Sequence, residues 1–284
     1  MANKKLKAPV NIPVEKIHPF KGHPYKVIDN EEMNNLIESI QQKGVISPIV
    51  VRPLENTEDE YEIISGHRRL RASVKAGLET VPALIYAVSR DEAAIMLVDS
   101  NLHREHILPS ERAFAYKLKM EAMSRQGQRT DLTCGQVGHK SRDDVSETES
   151  GRQVQRYIRL TYLIPELLDL VDEERIAFTP AVELSYLNEV EQADLVEEIR
   201  VCDATPNLSQ AQRLRAISRE EGLTPEHIGE ILAEEKANQR EKIRIPAERI
   251  RKYFPKSYTT EQIEEAIIKL CESRYRARQG RDAR

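Results

Sequence analysis

The chain of 284 residues has no tryptophan, and aromatic residues make up only 5% of it. Its three cysteines, Cys134, Cys202 and Cys271, lie far apart, without the short spacing of a zinc site or the pattern of a disulfide framework. No apolar run approaches the roughly 18 residues that a membrane span needs, and the first residues lack the apolar segment of a signal peptide. We therefore expect a soluble protein of the reducing cytoplasm with no membrane partner.

Charged residues are abundant at 32%, although the formal net charge is only -4. Basic residues are concentrated: residues 66–75 hold four lysines and arginines, residues 150–160 hold three arginines, and the last twelve residues hold five arginines against one aspartate. Basic patches on an acidic chain indicate sites for phosphates and nucleic acid. The sequence contains no Walker loop and no zinc-finger spacing that would indicate other chemistry.

The most informative segment is a predicted strand, residues 61–64, that runs through Gly66 into a basic helix ending at Gly77. Four basic side chains crowd the start of that helix: His67, Arg68, Arg69 and Arg71. Positive charge there opposes the positive end of the helix dipole, so the pattern predicts a bound anion. Backbone N–H groups and guanidinium groups both suit phosphate oxygens. The alternative is a solvated arginine cluster on a surface helix.

A second polar group follows a helix that opens with a capping box between Ser89 and Glu92. Asn101, Arg104 and Glu105 stand at i, i+3 and i+4, and therefore share one helix face. An amide, a guanidinium and a carboxylate suit a triphosphate and its divalent ion. Taken alone, this spacing also describes an ordinary solvent-exposed face.

The overall pattern predicts an α+β architecture. Strands at 49–51, 61–64 and 81–88 alternate with helices, whereas no strand is predicted from Pro109 onward. The first helix of that later part should run from Glu111 to Gln126 and end at Gly127.

Four motifs, in order along the chain, resemble those of the ParB partition proteins over roughly residues 12–190. They are Gly44-Val-Ile-Ser-Pro-Ile-Val-Val-Arg52, Ser65-Gly-His-Arg-Arg-Leu-Arg-Ala72, Ser100-Asn-Leu-His-Arg-Glu105 and Leu108-Pro-Ser-Glu-Arg-Ala-Phe-Ala-Tyr116. The resemblance implies a small mixed α/β nucleotide-binding domain at 12–107, an all-α helix-turn-helix domain at 108–234 and a short helical C-terminal region at 243–284.

The resemblance also implies a function and its partners. Such proteins bind CTP with Mg²⁺, recognise a palindromic centromere-like DNA site, form a homodimeric clamp and work with a ParA-type ATPase at the nucleoid or a plasmid. The residues expected at the nucleotide are Gly66, His67, Arg68, Arg69 and Arg71 for the phosphates, Asn101, Arg104 and Glu105 for the triphosphate and Mg²⁺, and Gly44, Ser47 and Pro48 for the base. Asn101 would meet the metal through the nucleotide.

The helix from Gly151 to Leu160 is the expected recognition helix of the DNA-binding domain. Its polar side chains are Arg152, Gln153, Gln155, Arg156 and Arg159. Arg152, Gln153 and Arg156 would reach base edges, and Arg159 would contact a phosphate. The alternative is an ordinary amphipathic helix with exposed arginines. In the final helix, Ile263, Ile267 and Leu270 form an apolar stripe that serves either a second subunit or its own small domain.

Two positions depart from the family pattern and leave alternatives open. His67 and Ser100 stand where the family usually has glutamate. The loss of these carboxylates affects the expected CTPase activity, that is, CTP hydrolysis, more than it affects CTP binding. A transcriptional regulator with a vestigial nucleotide site is one alternative, and an ATP-dependent small-molecule kinase of the same fold is another. The related sulfiredoxins need a cysteine between the glycine and the His-Arg pair, and Gly66 is followed directly by His67.

Overall fold

A computed structural model describes residues 8–55, 57–102, 104, 106–131, 149–234, 250–255 and 258–282. The chain forms two compact units that divide after Glu234. The predicted α+β class is confirmed, since a small sheet with its helices is followed by a region whose described elements are all helices. The further boundary predicted at residue 107, inside the first unit, stays a prediction.

The sheet has five strands in the order β1-β5-β3-β4-β2. They are β1 Val10–Pro13, β2 Ile17–His18, β3 Ile49–Pro53, β4 Tyr61–Ser65 and β5 Thr80–Ile85. In the centre, β3 is antiparallel to β4 and parallel to β5, and its register with β4 shifts between Val50 and Val51. Ile49, Val51 and Ile63 are fully buried here, so β3 and β4 form a well-packed support for the turn and the helix that follow β4.

Three helices accompany the sheet: α1 Glu31–Lys43, α2 His67–Lys75 and α3 Arg90–Leu102. The Asn30 side chain caps α1 by accepting a hydrogen bond from the Met33 amide. Met33 and Ile40 of α1 pack with Ala72 of α2, so the two helices share one small core. The predicted capping box at the start of α3 is present, because the Ser89 amide donates to the Glu92 carboxylate and the Glu92 amide donates to the Ser89 hydroxyl.

The helical region of the first unit contains no strand among its described residues. Its helices are α4 Pro109–Asp131, α5 Gly151–Leu160, α6 Pro165–Asp172, α7 Phe178–Leu184, α8 Glu189–Cys202, α9 Leu208–Glu220 and α10 Pro225–Ala233. Leu160, Leu184 and Leu214 lie at the centre of their common core. The predicted end of α4 at Gly127 is wrong, since the helix continues to Asp131.

The second unit is described from residue 250 and contains α11, Thr260–Asp282. Thr259 and Gln262 exchange the reciprocal hydrogen bonds that the sequence predicts for its start. Within the single chain, Leu270 is 64% exposed and Ile263 and Ile267 are half-buried, so the described part of this unit does not bury the whole stripe, and its burial against a second subunit stays a prediction. Across the described parts of both units, no helix combines the length and apolarity required to cross a membrane.

Candidate functional site

The turn from β4 into α2 places a left-handed glycine directly before a helix start. Gly66 has φ 101° and ψ 26°. The first helical hydrogen bond runs from the Leu70 amide to the Gly66 carbonyl, so the amides of His67, Arg68 and Arg69 precede it. Within the described chain, no side chain caps these amides. They are therefore donors at the positive end of the helix, which is the arrangement that binds phosphate.

Arg69 joins this helix start to the loop that follows α1. Its Nη1 donates to the carbonyl oxygens of Ser47 at 2.5 Å and Pro48 at 2.6 Å. Partial burial lowers the pKa of Arg69. Gly44, with φ 70°, ends α1 and begins this loop. Arg69 thus holds two of the predicted base-binding residues, Ser47 and Pro48, beside α2, while Gly44 begins the loop that carries them.

Arg68 and Arg71 point toward α1 instead. Arg68 pairs with Glu32 at 3.0 Å, and Arg71 binds both carboxylate oxygens of Asp29, at 2.9 and 2.5 Å. Asp29 also meets Lys75 at 2.8 Å. The hydrogen bond from Arg71, followed by that from Lys75, lowers the pKa of Asp29 to about 2. Two of the predicted phosphate ligands are therefore engaged by carboxylates that sequence reasoning had not assigned to the site.

His67 turns to the loop between β2 and α1, where it stacks on His23. The ring centroids lie 3.7 Å apart with an interplanar angle of 32°. His23 meets Tyr25 edge-on at 5.6 Å, and the guanidinium carbon of Arg104 lies 5.7 Å from the Tyr25 ring centroid. This chain of contacts links α2 to the segment after α3, although neither His23 nor Tyr25 was among the predicted site residues.

Both histidines of this stack resist protonation. Burial, then the neighbouring His23 ring and the positive charge of Arg104, lowers the pKa of His67 to about 3. Burial is also the main cause that lowers the pKa of His23, with a smaller effect of Arg104. The two rings are therefore neutral near neutral pH, and Arg104 supplies the positive charge of the cluster.

Two buried polar atoms beside Arg104 lack hydrogen-bond partners among the described residues: Nε2 of His67 and the hydroxyl oxygen of Tyr25. Buried polar atoms in proteins are nearly always hydrogen-bonded, so an orphaned pair calls for a further partner. A polyanionic ligand with many oxygen atoms fits this requirement. The donors at the start of α2 and the Arg104 charge suit the same ligand.

Asn101 and Arg104 stay together because the Arg104 amide donates to the Asn101 carbonyl at 3.1 Å. Asn101 is buried, and its side-chain nitrogen donates to the Leu97 carbonyl at 2.7 Å and to the Ser100 hydroxyl at 3.3 Å. Its side-chain oxygen is therefore the group available to a cation. Glu105 lies outside the described residues. Within the described ranges, no cluster of three histidine, cysteine or acidic residues could hold a metal.

The loop that carries His23 is anchored at both ends. At one end, the Lys21 amide donates to Glu62 at 3.0 Å, and Glu62 also pairs with Arg52 at 2.7 Å. Arg52 is 3% exposed and Glu62 4%. At the other end, the Lys26 amide donates to Glu111 at 2.7 Å. The position of His23 thus depends on the sheet and on the start of α4.

The predicted recognition helix α5 presents its polar side chains in different ways. The Ser150 hydroxyl caps it by accepting from the Gln153 amide. Arg152 is exposed, whereas the other four are half-buried. Gln155 contacts the Met120 sulfur at 3.7 Å, Arg156 donates to the Gln153 side chain and to Thr179, and Arg159 donates to Ser185. The chain between α4 and α5, residues 132–148, lies outside the described residues.

Comparison with known proteins gives the chain its family. A family model described as the ParB N-terminal domain matches residues 2–102. Over 199 residues the chain is 30% identical to the nucleoid occlusion protein of Listeria innocua, and the match covers 67% of this chain and 68% of that protein. The chain belongs to the ParB family.

Further matches are to proteins named as chromosome-partitioning proteins. The chromosome-partitioning protein ParB of Caulobacter vibrioides is 35% identical over 138 residues, which is 48% of this chain and 43% of that protein. Among solved structures, C-terminally truncated ParB from Caulobacter crescentus complexed to the centromeric parS site matches with 22% identity and a TM-score of 0.43, covering 73% of this chain and 98% of that one. The same truncated protein complexed with CTP-gamma-S matches with 24% identity and a TM-score of 0.33, covering 68% and 99%.

In this member of the ParB family, the buried His67 should make folding stability depend on pH. Because its folded pKa of about 3 lies below the ordinary value of 6.5, the unfolded chain binds more protons between these values. Stability is therefore complete above pH 6.5 and is lost as the pH falls. We expect His67 alone to remove about 2 kcal/mol of unfolding free energy between pH 7 and pH 5.

Urea unfolding of the native chain and of His67→Gln at the two pH values measures this effect. The variant should lose about 2 kcal/mol less than the native chain over that interval, because the titrating groups that do not contact His67 cancel in the comparison. An equal loss in both proteins would contradict the buried, neutral state of His67.

Proposed function

We propose that this chain is a DNA-binding partition protein that uses CTP, bound with Mg²⁺, as a switch. It would act as a homodimer on a centromere-like palindromic site at the nucleoid or on a plasmid, with a ParA-type ATPase as its partner. Its membership in the ParB family and the name of the chromosome-partitioning relative support this proposal. We keep residues 12–107, 108–234 and 243–284 as its nucleotide-binding, DNA-binding and C-terminal domains.

The observation that carries the proposal is the uncapped start of α2, which stands beside two orphaned buried polar atoms and the Arg104 charge. In the proposed complex, the amides from Gly66 to Arg69 bind phosphate oxygens. Arg104 and His67 face the triphosphate from the other side. The Gly44, Ser47 and Pro48 loop, which Arg69 holds in place, receives the base.

Arg68 and Arg71 would reach the phosphates by exchanging partners. Their ion pairs with Glu32 and Asp29 lie at the surface, where such pairs contribute little to stability. A triphosphate carries more negative charge than either carboxylate, so exchange is favourable once the nucleotide is bound. Both arginines therefore stay in the proposed site.

Mg²⁺ usually binds a nucleotide through phosphate oxygens, several waters and one or two protein oxygens. The side-chain oxygen of Asn101 is the proposed protein ligand, and Glu105, which follows Arg104 in the sequence, stays a predicted member of the nucleotide site. When bound, the ion neutralises part of the triphosphate charge and orients the phosphates. The chain would therefore need to supply one oxygen ligand for the ion and one positive charge for the phosphates. Asn101 would supply the oxygen, and Arg104 would supply the charge.

The DNA-binding function is assigned to α5. Arg152 is exposed at its first turn and would read a base edge, while Gln153, Gln155 and Arg156 lie on the same part of the helix. The hydrogen bond between Arg156 and Gln153 holds both side chains in defined positions. Arg159, at the other end of the helix, is assigned to a phosphate.

Titration calorimetry with CTP, ATP and GTP, with and without duplex DNA, tests the nucleotide part. The proposal predicts Mg²⁺-dependent binding of CTP in preference to ATP and GTP, strengthened by a duplex that contains the partition site. Equal binding of all three nucleotides, or of none, would contradict it.

A second candidate is a DNA-binding regulator with a vestigial nucleotide site. The ion pairs that Arg68 and Arg71 make with Glu32 and Asp29 favour it, since these acids occupy side chains that phosphates would need. Footprinting that finds only promoter sites, together with unchanged retention in a plasmid-loss assay, would favour this function. A small-molecule kinase remains the third alternative and would require phosphate transfer in a labelled-ATP screen, but it gives no role to α5.

A further inference from the structure

The helical region carries a row of alternating cations and tyrosines, which we call the cation–tyrosine ladder. Its five members in spatial order are Lys117, Tyr162, Arg159, Tyr186 and Arg215. The Lys117 nitrogen lies 5.7 Å from the Tyr162 ring centroid, and the Arg159 guanidinium carbon lies 4.5 Å from Tyr162 and 4.0 Å from Tyr186. The Arg215 guanidinium carbon lies 3.5 Å from Tyr186. Each tyrosine thus stands between two positive charges.

The ladder joins four parts of the helical region. Lys117 comes from α4, Arg159 from α5, Tyr186 from the turn after α7 and Arg215 from α9. Arg159 is fixed at the centre, because its Nε donates to the Ser185 hydroxyl at 3.1 Å and its Nη2 to the Ser185 carbonyl at 2.7 Å. A charge held in place in this way loses little conformational entropy when it binds an anion.

The surface of the ladder is accessible and positively charged. Tyr162 is 57% exposed and Tyr186 45%. Arg215 pairs with Glu183 at 2.7 Å, whereas Lys117 and Arg159 form no ion pair within the described residues. Among those residues, three cations of the ladder therefore face one carboxylate.

We propose that the cation–tyrosine ladder binds the sugar–phosphate backbone of DNA, beside the groove that α5 enters. Arg152, Arg156 and Arg159 stand at i, i+4 and i+7, so they form one stripe along α5. Arg159, the last arginine of this stripe, is also the central member of the ladder. The ladder therefore extends the row of positive charges sideways from α5. This inference rests on the DNA-binding function proposed for α5.

A row of separated cations suits regularly spaced phosphates better than a single anion. The tyrosines add hydroxyl groups that can donate to phosphate oxygens and rings that keep the cations apart. Backbone contacts of this kind position a protein on the duplex without reading its sequence. The ladder should therefore increase affinity and salt dependence equally for all DNA sequences.

The experiment compares Lys117→Gln and Tyr162→Leu with the native full-length chain. DNA binding is measured over a series of KCl concentrations with two short duplexes. One has a random sequence, and the other carries the sequence that the native chain enriches from a random pool of duplexes. For Lys117→Gln we expect the slope of log K against log salt to fall by about 0.9, as for the loss of one phosphate contact. Affinity at low salt should fall by about three- to ten-fold for both duplexes in each variant.

Arg200→Gln is the matched control, because Arg200 is an exposed cation of α8 outside the ladder and loses the same charge. Its affinity and salt slope should stay close to those of the native chain. If Tyr162→Leu does not fold, as judged by circular dichroism, Lys117→Gln decides the outcome alone.

Three results would overturn the ladder. They are native affinity and slope in both variants, a loss confined to one of the two duplexes, and an equal loss in Arg200→Gln.

If Arg152→Gln weakens DNA binding while the ladder variants do not, the function of α5 stands and only the ladder fails. If the native chain binds neither duplex, the proposed function itself fails. Binding of an acidic peptide in place of both duplexes would assign the ladder to a protein partner and would likewise overturn this inference.

Discussion

Replacing Glu62 with alanine should lower the free energy of unfolding by about 3 to 5 kcal/mol, as measured in urea. Glu62 and Arg52 are almost completely buried and lie 2.7 Å apart, so the substitution leaves the buried guanidinium with only the more distant, exposed carboxylate of Glu55 at 3.6 Å. The Lys21 amide loses its acceptor at the same time. Because the Lys21 loop carries His23, the CTP affinity of the remaining folded protein should also fall.

Glu60→Ala provides the matched control, since it removes a carboxylate just before the same strand. Its partner is His18 at 3.5 Å, and both side chains are nearly half exposed. Surface pairs of this kind contribute about 1 kcal/mol or less. A loss of less than about 1 kcal/mol in Glu62→Ala would contradict the buried ion pair as the anchor of the loop.

Replacing Gly66 with alanine should abolish measurable CTP binding and cost about 2 to 4 kcal/mol of stability. The added Cβ would lie 2.9 Å from Cγ2 of Ile49, a fully buried residue of β3, and 3.1 Å from Nη2 of Arg69. In addition, φ of 101° is unfavourable for any residue with a side chain. The helix start must therefore move away from the sheet, and its amides with it.

Gly77→Ala separates the effect of the clash from that of backbone strain. Gly77 follows the other end of α2 with φ of 77°, and a Cβ there would meet nothing within 4 Å. We expect a loss of about 1 kcal/mol and unchanged CTP affinity. If both variants bind CTP equally well, the amides of α2 are not the phosphate site.

Local sequence patterns predicted most of the fold that surrounds the site. The apolar runs at residues 49–51 and 61–64 indicated β3 and β4, and the spacing of Met33 and Ile40 before Gly44 is in itself typical of a helix such as α1. β1 could not be predicted in the same way, because it lies at the sheet edge and is defined by pairing with β5. Gly127 lies inside α4 because Arg125 and Lys119 pair with α3, and these contacts outweigh the helix propensity of one glycine.

The candidate site was only partly predictable. A basic helix start after Gly66 is a local feature, so the sequence indicates an anion site directly. The partners of its side chains are not local: Glu32 is 36 residues from Arg68, and Asp29 is 42 residues from Arg71. The stack of His23 on His67 likewise depends on a loop that the sheet and α4 hold in place. No periodicity in the sequence indicates such pairs.

The most direct test of the nucleotide site is a titration of the ¹⁵N-labelled chain with CTP and Mg²⁺, followed by amide chemical shifts. Binding through the start of α2 predicts the largest shifts at the amides of Gly66, His67, Arg68 and Arg69, with Gly77 nearly unchanged. Saturable CTP binding that leaves those four amides unshifted would contradict the assignment of the phosphates to this helix.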